Sequence, residues 1–409
     1  MTDALTILIT NHNLSARAGS ELYVRDLATA LLARGHRPIV YSPALGRVAA
    51  EIRAASIPVI DDLDRLAASP DVIHGHHHLE TMTAVLHFAG TPAIYVCHGW
   101  LPWEEAAPRF PSILQYVAVD DTCRDRLVCE GGIPDERVRV LLNFVDLARF
   151  PQRSPLPPRP VRGLLFCNEN GPHGAVVREA CAQAGVSLDG AGLGHGSSVV
   201  SETVLGGYDI VFAKARSALE ALAVGAAVVL VGANGMGPMV TTSNVDRLRR
   251  LNFGIRALGS GLTPARLMAE IHRYDPADAA AVSGGIRATA GRDAAVDELL
   301  SLYRTVIADW RYRPGQDLRS DGRAVAEYLR SLSPALKGSV SEREAARTKL
   351  AGLEAEKEQL CGQLLSSRAE MEHLASRLSA ALDTTANMER SLFWKTRLAW
   401  VKARDWFPR

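Results

Sequence analysis

The chain has almost no net charge: 46 Lys and Arg stand against 45 Asp and Glu across 409 residues, a formal balance of +1. It therefore has no chain-wide field to gather nucleic acid or an anionic membrane; nucleic acid is not an expected partner, and any such attraction must be local. Paired cysteines are missing as well. Cys97, Cys123, Cys129, Cys167, Cys181 and Cys361 form no Cys-x-x-Cys pair, and most sit in apolar stretches, the usual setting of reduced, buried thiols. A cytoplasmic location is expected. Long hydrophobic runs are absent too: nowhere do about 18 apolar residues follow one another. The opening MTDALTILIT lacks a basic leader and soon reaches polar Asn11, His12 and Asn13, so neither a secretory leader nor a spanning helix is expected, although a surface-lying segment is not excluded.

What remains is an ordinary folding composition, 47% hydrophobic and 22% charged. At roughly 100 to 200 residues per domain, the length implies two globular domains with a remainder. From Leu5 to Phe150 short apolar runs (LTILIT, RPIVYS, DVIHG, PAIYVC, YVAV, VRVLL) alternate with amphipathic stretches, the pattern of a parallel sheet with helical crossovers. The clearest unit runs from Leu5 to Tyr41: a strand, the loop Asn11 to Ser20, a helix carrying Leu22, Leu27, Leu31 and Leu32, and Gly35 as its stop. The proline-rich PQRSPLPPRP, residues 151–160, reads as a linker. A second α/β alternation follows, with strands at VRGLLFC, DIVFA and AAVVLV, helices starting near Gly174, Arg216, Asn244 and Pro264, and a last helix near Ala294 to Trp310. The fold class is thus α/β, with two Rossmann-like doubly wound domains over residues 1–155 and 161–312.

Residues 313–340 read as a polar connector, and residues 341–390 carry a seven-residue repeat. With Leu353, Leu360, Leu374 and Met388 at d and Leu350, Leu364, Met371 and Leu378 at a, the seam is interrupted by Lys357, Ser367 and Thr385. A C-terminal coiled-coil helix and self-association through 341–390 are expected, against the alternative of a lone solvated helix packed on its own body. Residues 391–409, SLFWKTRLAWVKARDWFPR, hold three of the six tryptophans and five basic residues against Asp405 alone. Basic plus aromatic composition suits a lipid headgroup boundary, so membrane-surface contact through 391–409 is expected, with docking onto the protein body as the alternative.

Five constellations carry chemistry. Gly19 precedes a helix start after a strand, where free N–H groups face an anion. HGHHH, from His74 to His78, places four of the twelve histidines in five positions; adjacent strand-end side chains diverge, so these read as loop histidines lining a cleft, with no metal site. His98-Gly99-Trp100 ends another strand on the carboxyl edge where open α/β sheets bind ligands. The segment from Asp209 to Gly232 offers Lys214, Arg216 and the carboxylate of Glu220 around a helix start; by pattern alone Glu220 also suits a solvated helix face. Gly235-Met236-Gly237-Pro238 reads as a phosphate-sized turn.

Taken in order, these elements resemble the GT-B glycosyltransferases of glycosyltransferase family 4 over about residues 5 to 310. GSELYVRDLATALLARGHRPIVYSP looks like the family's first glycine loop and helix, and DVIHGHHH and VCHGW like its strand-end histidine motifs. VAVDDTCRDRLVCEGGIPDERVRVLLNFVDLARF resembles the stretch closing the first domain, with Phe144 where the glycine of NGVD is usual. SALEALAVGAAVVLVG resembles the helix and strand that hold the second glutamate of the paired-glutamate motif. The resemblance implies an acceptor-side first domain and a donor-side second domain, and transfer of a sugar from a nucleotide-activated donor to a glycan or lipid-linked acceptor at the cytoplasmic membrane face, with neither metal nor cofactor. It implies that Gly19 lies near the donor phosphates, His98 faces the transferred sugar as a catalytic residue, and Glu220 holds the ribose. Two departures stand out. Phe212 replaces the first glutamate of the pair, and LLFCNENGPHG offers Asn168, Asn170 and His173 where Arg and Lys are usual. Lys214 and Arg216 are read as supplying the lost positive charge, Lys214 also as catalytic, with Asn168, Gly235 and Gly237 completing the donor site. A catalytically degenerate scaffold and a nucleotide-sugar epimerase are the alternatives.

Overall fold

The computed structural model describes residues 4–166, 173–191, 201–312 and 318–404. Residues up to Tyr328 form one compact unit, and those from Leu329 onward form another.

The first lobe contains β1 (Thr6–Thr10), α1 (Gly19–Ala33), β2 (Arg37–Tyr41), α2 (Arg47–Ala54), β3 (Val59–Ile60), β4 (Val72–His76), α3 (His78–His87), β5 (Ala93–Cys97), β6 (Ile113–Ala118), α4 (Asp121–Asp125) and β7 (Val138–Val140). All seven strands are parallel, in the order β3-β2-β1-β4-β5-β6-β7. The winding direction reverses between β1 and β4, so the loops leaving these two strands diverge and open a crevice at the carboxyl edge. β4 and β5 are buried along their whole length, as central strands with helices on both faces must be. Gly75 in β4 is required by close packing: a Cβ there would lie 2.4 Å from Thr81 Oγ1 on α3.

The second lobe contains β8 (Arg162–Phe166), α5 (His173–Gln183), β9 (Ser187–Ala191), α6 (Ser201–Val204), β10 (Ile210–Ala213), α7 (Ala215–Val224), β11 (Ala227–Gly232), β12 (Gly235–Met239), α8 (Val245–Arg250), α9 (Pro264–Ile271) and α10 (Pro276–Thr289). Its sheet runs β12-β11-β10-β8-β9, with β12 antiparallel to β11. Separate apolar clusters cover the two faces, one around Leu222 and Val228 and the other around Phe212 and Val229.

Two boundaries differ from the sequence expectation. The helix expected to end the second domain, α11 (Arg292–Arg311), places Val296, Leu299, Leu302, Tyr303 and Val306 in the core of the first lobe. The Trp310 indole N–H donates to the Gly90 carbonyl at 2.6 Å. The chain therefore crosses to the second lobe after Phe150 and returns near Gly291, where Val145 and Gly291 form an isolated bridge. The stretch 313–340, expected as a polar connector, is helical from Leu318. It belongs to α12 (Leu318–Arg390), which continues through Pro334. Its first turns are held by packing: Ala324, Val325 and Tyr328 lie against the first-lobe core, and the Tyr328 hydroxyl is 2.8 Å from His78 Nδ1. α13 (Leu392–Arg404) follows. Among the described residues no helix is long and apolar enough to cross a membrane.

Candidate active site

The carboxyl edge of the first sheet faces the N-terminus of α7, and the two surfaces treat their titratable groups in opposite ways. On the first-lobe side stands a wall of neutral histidines. His74 and His76 are fully buried residues of β4 and not loop residues, because they point into the core shared with α1 and α11. His74 Nδ1 lies 2.5 Å from the Tyr303 hydroxyl. His77, at φ +60°, turns the chain sharply from β4 into α3, and its ring lies against His12 with centroids 4.1 Å apart. Every histidine of the HGHHH stretch thus has an aromatic or imidazole neighbour, and among the described residues no group of three His, Cys, Asp or Glu side chains converges as metal ligands do.

His98 is within reach of the charge of Arg216 in the second lobe. Its Nε2 is 2.6 Å from His76 Nδ1, the two rings stack with centroids 4.7 Å apart, and Tyr23 packs edge-on at 4.7 Å. Its backbone N–H donates to Glu105 Oε2 at 2.8 Å. Burial, followed by the positive charge of Arg216, holds its imidazole down to about 3. Burial likewise holds His74 at about 3 and, with His12 beside it, His77 at about 2. Glu105 goes the other way: burial pushes its carboxyl up to about 8 despite the bond from His98 and the charge of Arg126. The wall is therefore uncharged at neutral pH on both counts. Beside it, Asn11 is fully buried at the end of β1, with both amide atoms lacking a hydrogen-bond partner among the described residues.

The opposing surface is a dense cluster of charge. Arg216, in the first turn of α7, donates Nε–H to Glu220 Oε1 at 2.8 Å and reaches across the cleft to Asp26 on α1. Asp26 also accepts from Arg25 at 2.7 Å and from Arg149 at 3.0 Å. Burial raises the Asp26 carboxyl, but Arg216 and Arg25 outweigh it and hold the group below the usual carboxylate range. Arg216 is correspondingly pushed up, because Asp26 and Glu220 overcome its own burial. Arg17 bonds Glu51 at 2.8 Å and Glu202 at 3.3 Å, and Glu202 also bonds Arg149. Four guanidinium groups thus gather over four carboxylates where the lobes meet.

The backbone around α7 is unusual. Lys214 is its N-cap residue, and Ala215 has φ +49°, a left-handed conformation uncommon outside glycine. The Ala215 N–H is tied to the Phe253 carbonyl at 3.0 Å, which holds the strained turn. Gly19 begins α1 after the cleft loop; a Cβ there would meet nothing within 4 Å, so the helix end is open to an approaching group.

Several expected positions lie elsewhere. Gly235 and Gly237 are not a phosphate turn: they belong to β12, and a Cβ at either would fall 2.5 Å from the Ser260 carbonyl or 2.3 Å from that of Ala257. Their missing side chains admit the neighbouring backbone, which leaves no room there for a phosphate. Phe212 is wholly buried in β10, so the side chain replacing the first glutamate lies in the core. Glu220 is 3% exposed, which removes the solvated-helix reading. Phe144 packs on Tyr23 at 4.9 Å between centroids. Asn168 lies outside the described residues. Sequence reasoning missed Arg17, Asp26, Glu105, Arg149 and Glu202. Their only local signal is polarity on otherwise apolar elements, as with Asp26 between Val24 and Leu27.

Residues 17–149 match the model of Glycosyltransferase Family 4. The chain shares the two-lobed GT-B fold of solved glycosyltransferases. It is similar to a glycosyltransferase from Rickettsia africae at 14% identity and TM-score 0.53, over 75% of this chain and 99% of that one. It is also similar to Anabaena HepE, solved with UDP and glucose, at 16% identity and TM-score 0.50, over 74% and 99% of the two chains. A UDP-GlcNAc 2-epimerase from Neisseria meningitidis bound to UDP-GlcNAc matches at 12% identity and TM-score 0.45, over 74% and 100%. No curated protein sequence matches it.

Proposed function

We propose that this protein is a glycosyltransferase that moves a sugar from a nucleotide-activated donor, such as a UDP-sugar, a class suggested by the UDP and glucose solved with HepE, to a glycan or lipid-linked acceptor. The observation that carries the reading is Arg216, a buried cation at a helix start, shared between Glu220 on its own helix and Asp26 across the cleft. A donor diphosphate takes the place of the Asp26 carboxylate on Arg216, and Glu220 turns to the ribose hydroxyls. Lys214, the N-terminus of α7 and the open N-terminus of α1 at Gly19 add positive potential where the leaving nucleoside diphosphate develops charge. These groups supply the stabilisation that a metal provides in other enzymes, so the transfer needs neither metal nor cofactor.

His98 is uncharged and presents the sugar-facing edge of a dry wall. Held by His76, Tyr23 and Glu105, it enters the reaction already oriented, which is where positioning lowers a barrier. The Asn11 amide, without a partner among the described residues, offers N–H donors and a carbonyl acceptor to a sugar hydroxyl. On α13, Phe393 and Trp400 are exposed, and Arg397 and Arg404 lie over Trp394 and Trp400. Four basic residues without an acid in LFWKTRLAWVKAR suit contact with an anionic cytoplasmic membrane face, where a lipid-linked acceptor would reside.

Titrating the full chain with UDP, GDP and their common sugars by thermal shift tests this reading. A donor that binds the native state raises the melting temperature in proportion to ln(1 + [L]/Kd), and the same donor should then label an acceptor pool. No stabilisation at millimolar donor would overturn it. The burial of Phe212 favours a second reading, a transferase relative retained as a binding subunit; turnover by the isolated chain excludes that, and formation of an epimeric sugar product without acceptor would mark an epimerase instead.

A further inference from the structure

The four a and four d residues of the heptad seam, from Leu350 to Met388 on α12, are each 53–70% exposed. A stripe of this kind, spanning about 58 Å at 1.5 Å per residue, is far more apolar surface than a single helix leaves in water, and isolated helices gain little from propensity alone. We infer that two copies of this chain pair through this seam as a parallel, in-register, two-stranded coiled coil.

Three observations on the helix choose this occupant and this direction. The surface has a depression lined by Leu353, Glu356, Lys357, Leu360, Cys361 and Leu364. Those residues are two overlapping four-residue holes of the kind that receive one side chain from a facing helix, a d-g-a-d hole and an a-d-e-a hole. Charge is the second. In a parallel pair each g residue meets the e residue five positions on in the other copy, which sets Glu342 against the partner's Arg347 and Lys349 against the partner's Glu354. Reading the remaining g and e positions to Glu389 from the sequence gives no like-charged pair.

The third is Lys357, the charged residue on the seam between Leu350 and Met388. Paired in register, its hole includes the partner's Glu356, which offsets the repulsion between the two lysines. An antiparallel pair matching Leu360 to Leu378 and Leu364 to Leu374 instead sets Lys357 against Ala381, and places Arg368 opposite Arg368 and Glu370 opposite Glu370 across the dyad. The antiparallel pair gains Arg347 against Glu389 and the parallel pair sets Arg343 at a against its own copy, but the parallel pair keeps two opposite-charge contacts on each side and no like-charged g–e contact. A Lys at an a position is the type of residue that fixes register and favours two strands. A consequence is that both copies of α13 leave the coil at the same end, so two basic aromatic segments present together.

The experiment uses the full chain with Cys129 and Cys361 changed to serine, carrying Leu360→Cys, Leu378→Cys or both. Light scattering at about ten micromolar should give twice the chain mass. On mild oxidation each single variant should cross-link to its own copy, and peptide mapping of the double variant should find 360–360 and 378–378 disulfides. Leu360→Lys should return the mass to one chain while the melting temperature of the body stays unchanged, which separates a lost seam from a misfolded protein. A monomeric wild type, three times the chain mass, or 360–378 cross-links between chains would each overturn the proposal.

Discussion

The two walls of the cleft show two solutions to one problem, how to keep ionisable groups out of water. Behind His98 the groups are made neutral: burial lowers the imidazoles and raises Glu105 until none carries charge at pH 7. Around Arg216 they are made to match, carboxylate against guanidinium. A neutral wall suits a sugar, whose hydroxyls need orientation without attraction. A charged one suits an anion, because phosphate and carboxylate compete for the same guanidinium geometry. The difference shows that cleft polarity here is set by pairing more than by exposure.

The largest effect should come from breaking the charged wall. Arg216→Ala leaves Glu220 buried without its cation, and losing one partner of a buried pair costs about 3 to 5 kcal/mol. Urea denaturation should show that loss, while Arg216→Lys should retain most of the stability and lose donor affinity at least tenfold, since a point charge cannot span Asp26 and Glu220 as the forked guanidinium does. Equal donor affinity in the Lys variant would argue against the role given to Arg216.

The neutral wall should fail in acid. His74 and His77 hold folded values of about 3 and 2, below the ordinary 6.5, so as pH falls below 6.5 only the unfolded chain takes their protons. Their contribution is present above 6.5 and is lost toward the folded values, each at about 1.4 kcal/mol per pH unit at full effect. Stability measured at pH 7, 6 and 5 should fall steeply, and His74→Gln should lessen that slope by about one proton. A flat profile would show that these rings are charged or open to water.

A third effect has the opposite sign. Glu105 titrates near 8 in the fold against an ordinary 4.5, so its contribution is intact below 4.5 and declines as pH rises to 8. Glu105→Gln should remove that decline and raise stability at pH 8 relative to wild type, while keeping stability at pH 4 close to it. Unchanged profiles would place the carboxyl in a wetter site.

Much of the fold was legible in the sequence because parallel strands buried on both faces read as apolar runs. The exceptions are physical. β3 has only two residues, β9 reads SLDGA, and β12 is glycine-rich because neighbouring backbone presses on it, which made it look like a turn. The face of α11 was visible as a period, but nothing local says which lobe it will cover. In the site, Gly19, His98, Arg216 and Glu220 were singled out, whereas Arg17, Asp26, Arg149 and Glu202 were not. Their relation exists only in space: Arg17 and Glu202 are 185 positions apart, and a charge pair that long in sequence leaves no periodic trace.

The central claim is that Asp26 occupies the place of a phosphate on Arg216. Isothermal titration of Asp26→Asn with the nucleoside diphosphate bound by the wild type measures it directly. Freed of its competing carboxylate, Arg216 should bind the nucleotide several-fold more tightly than in the wild type, even as the fold loses stability. Weaker or unchanged binding in a folded Asn variant would contradict the exchange.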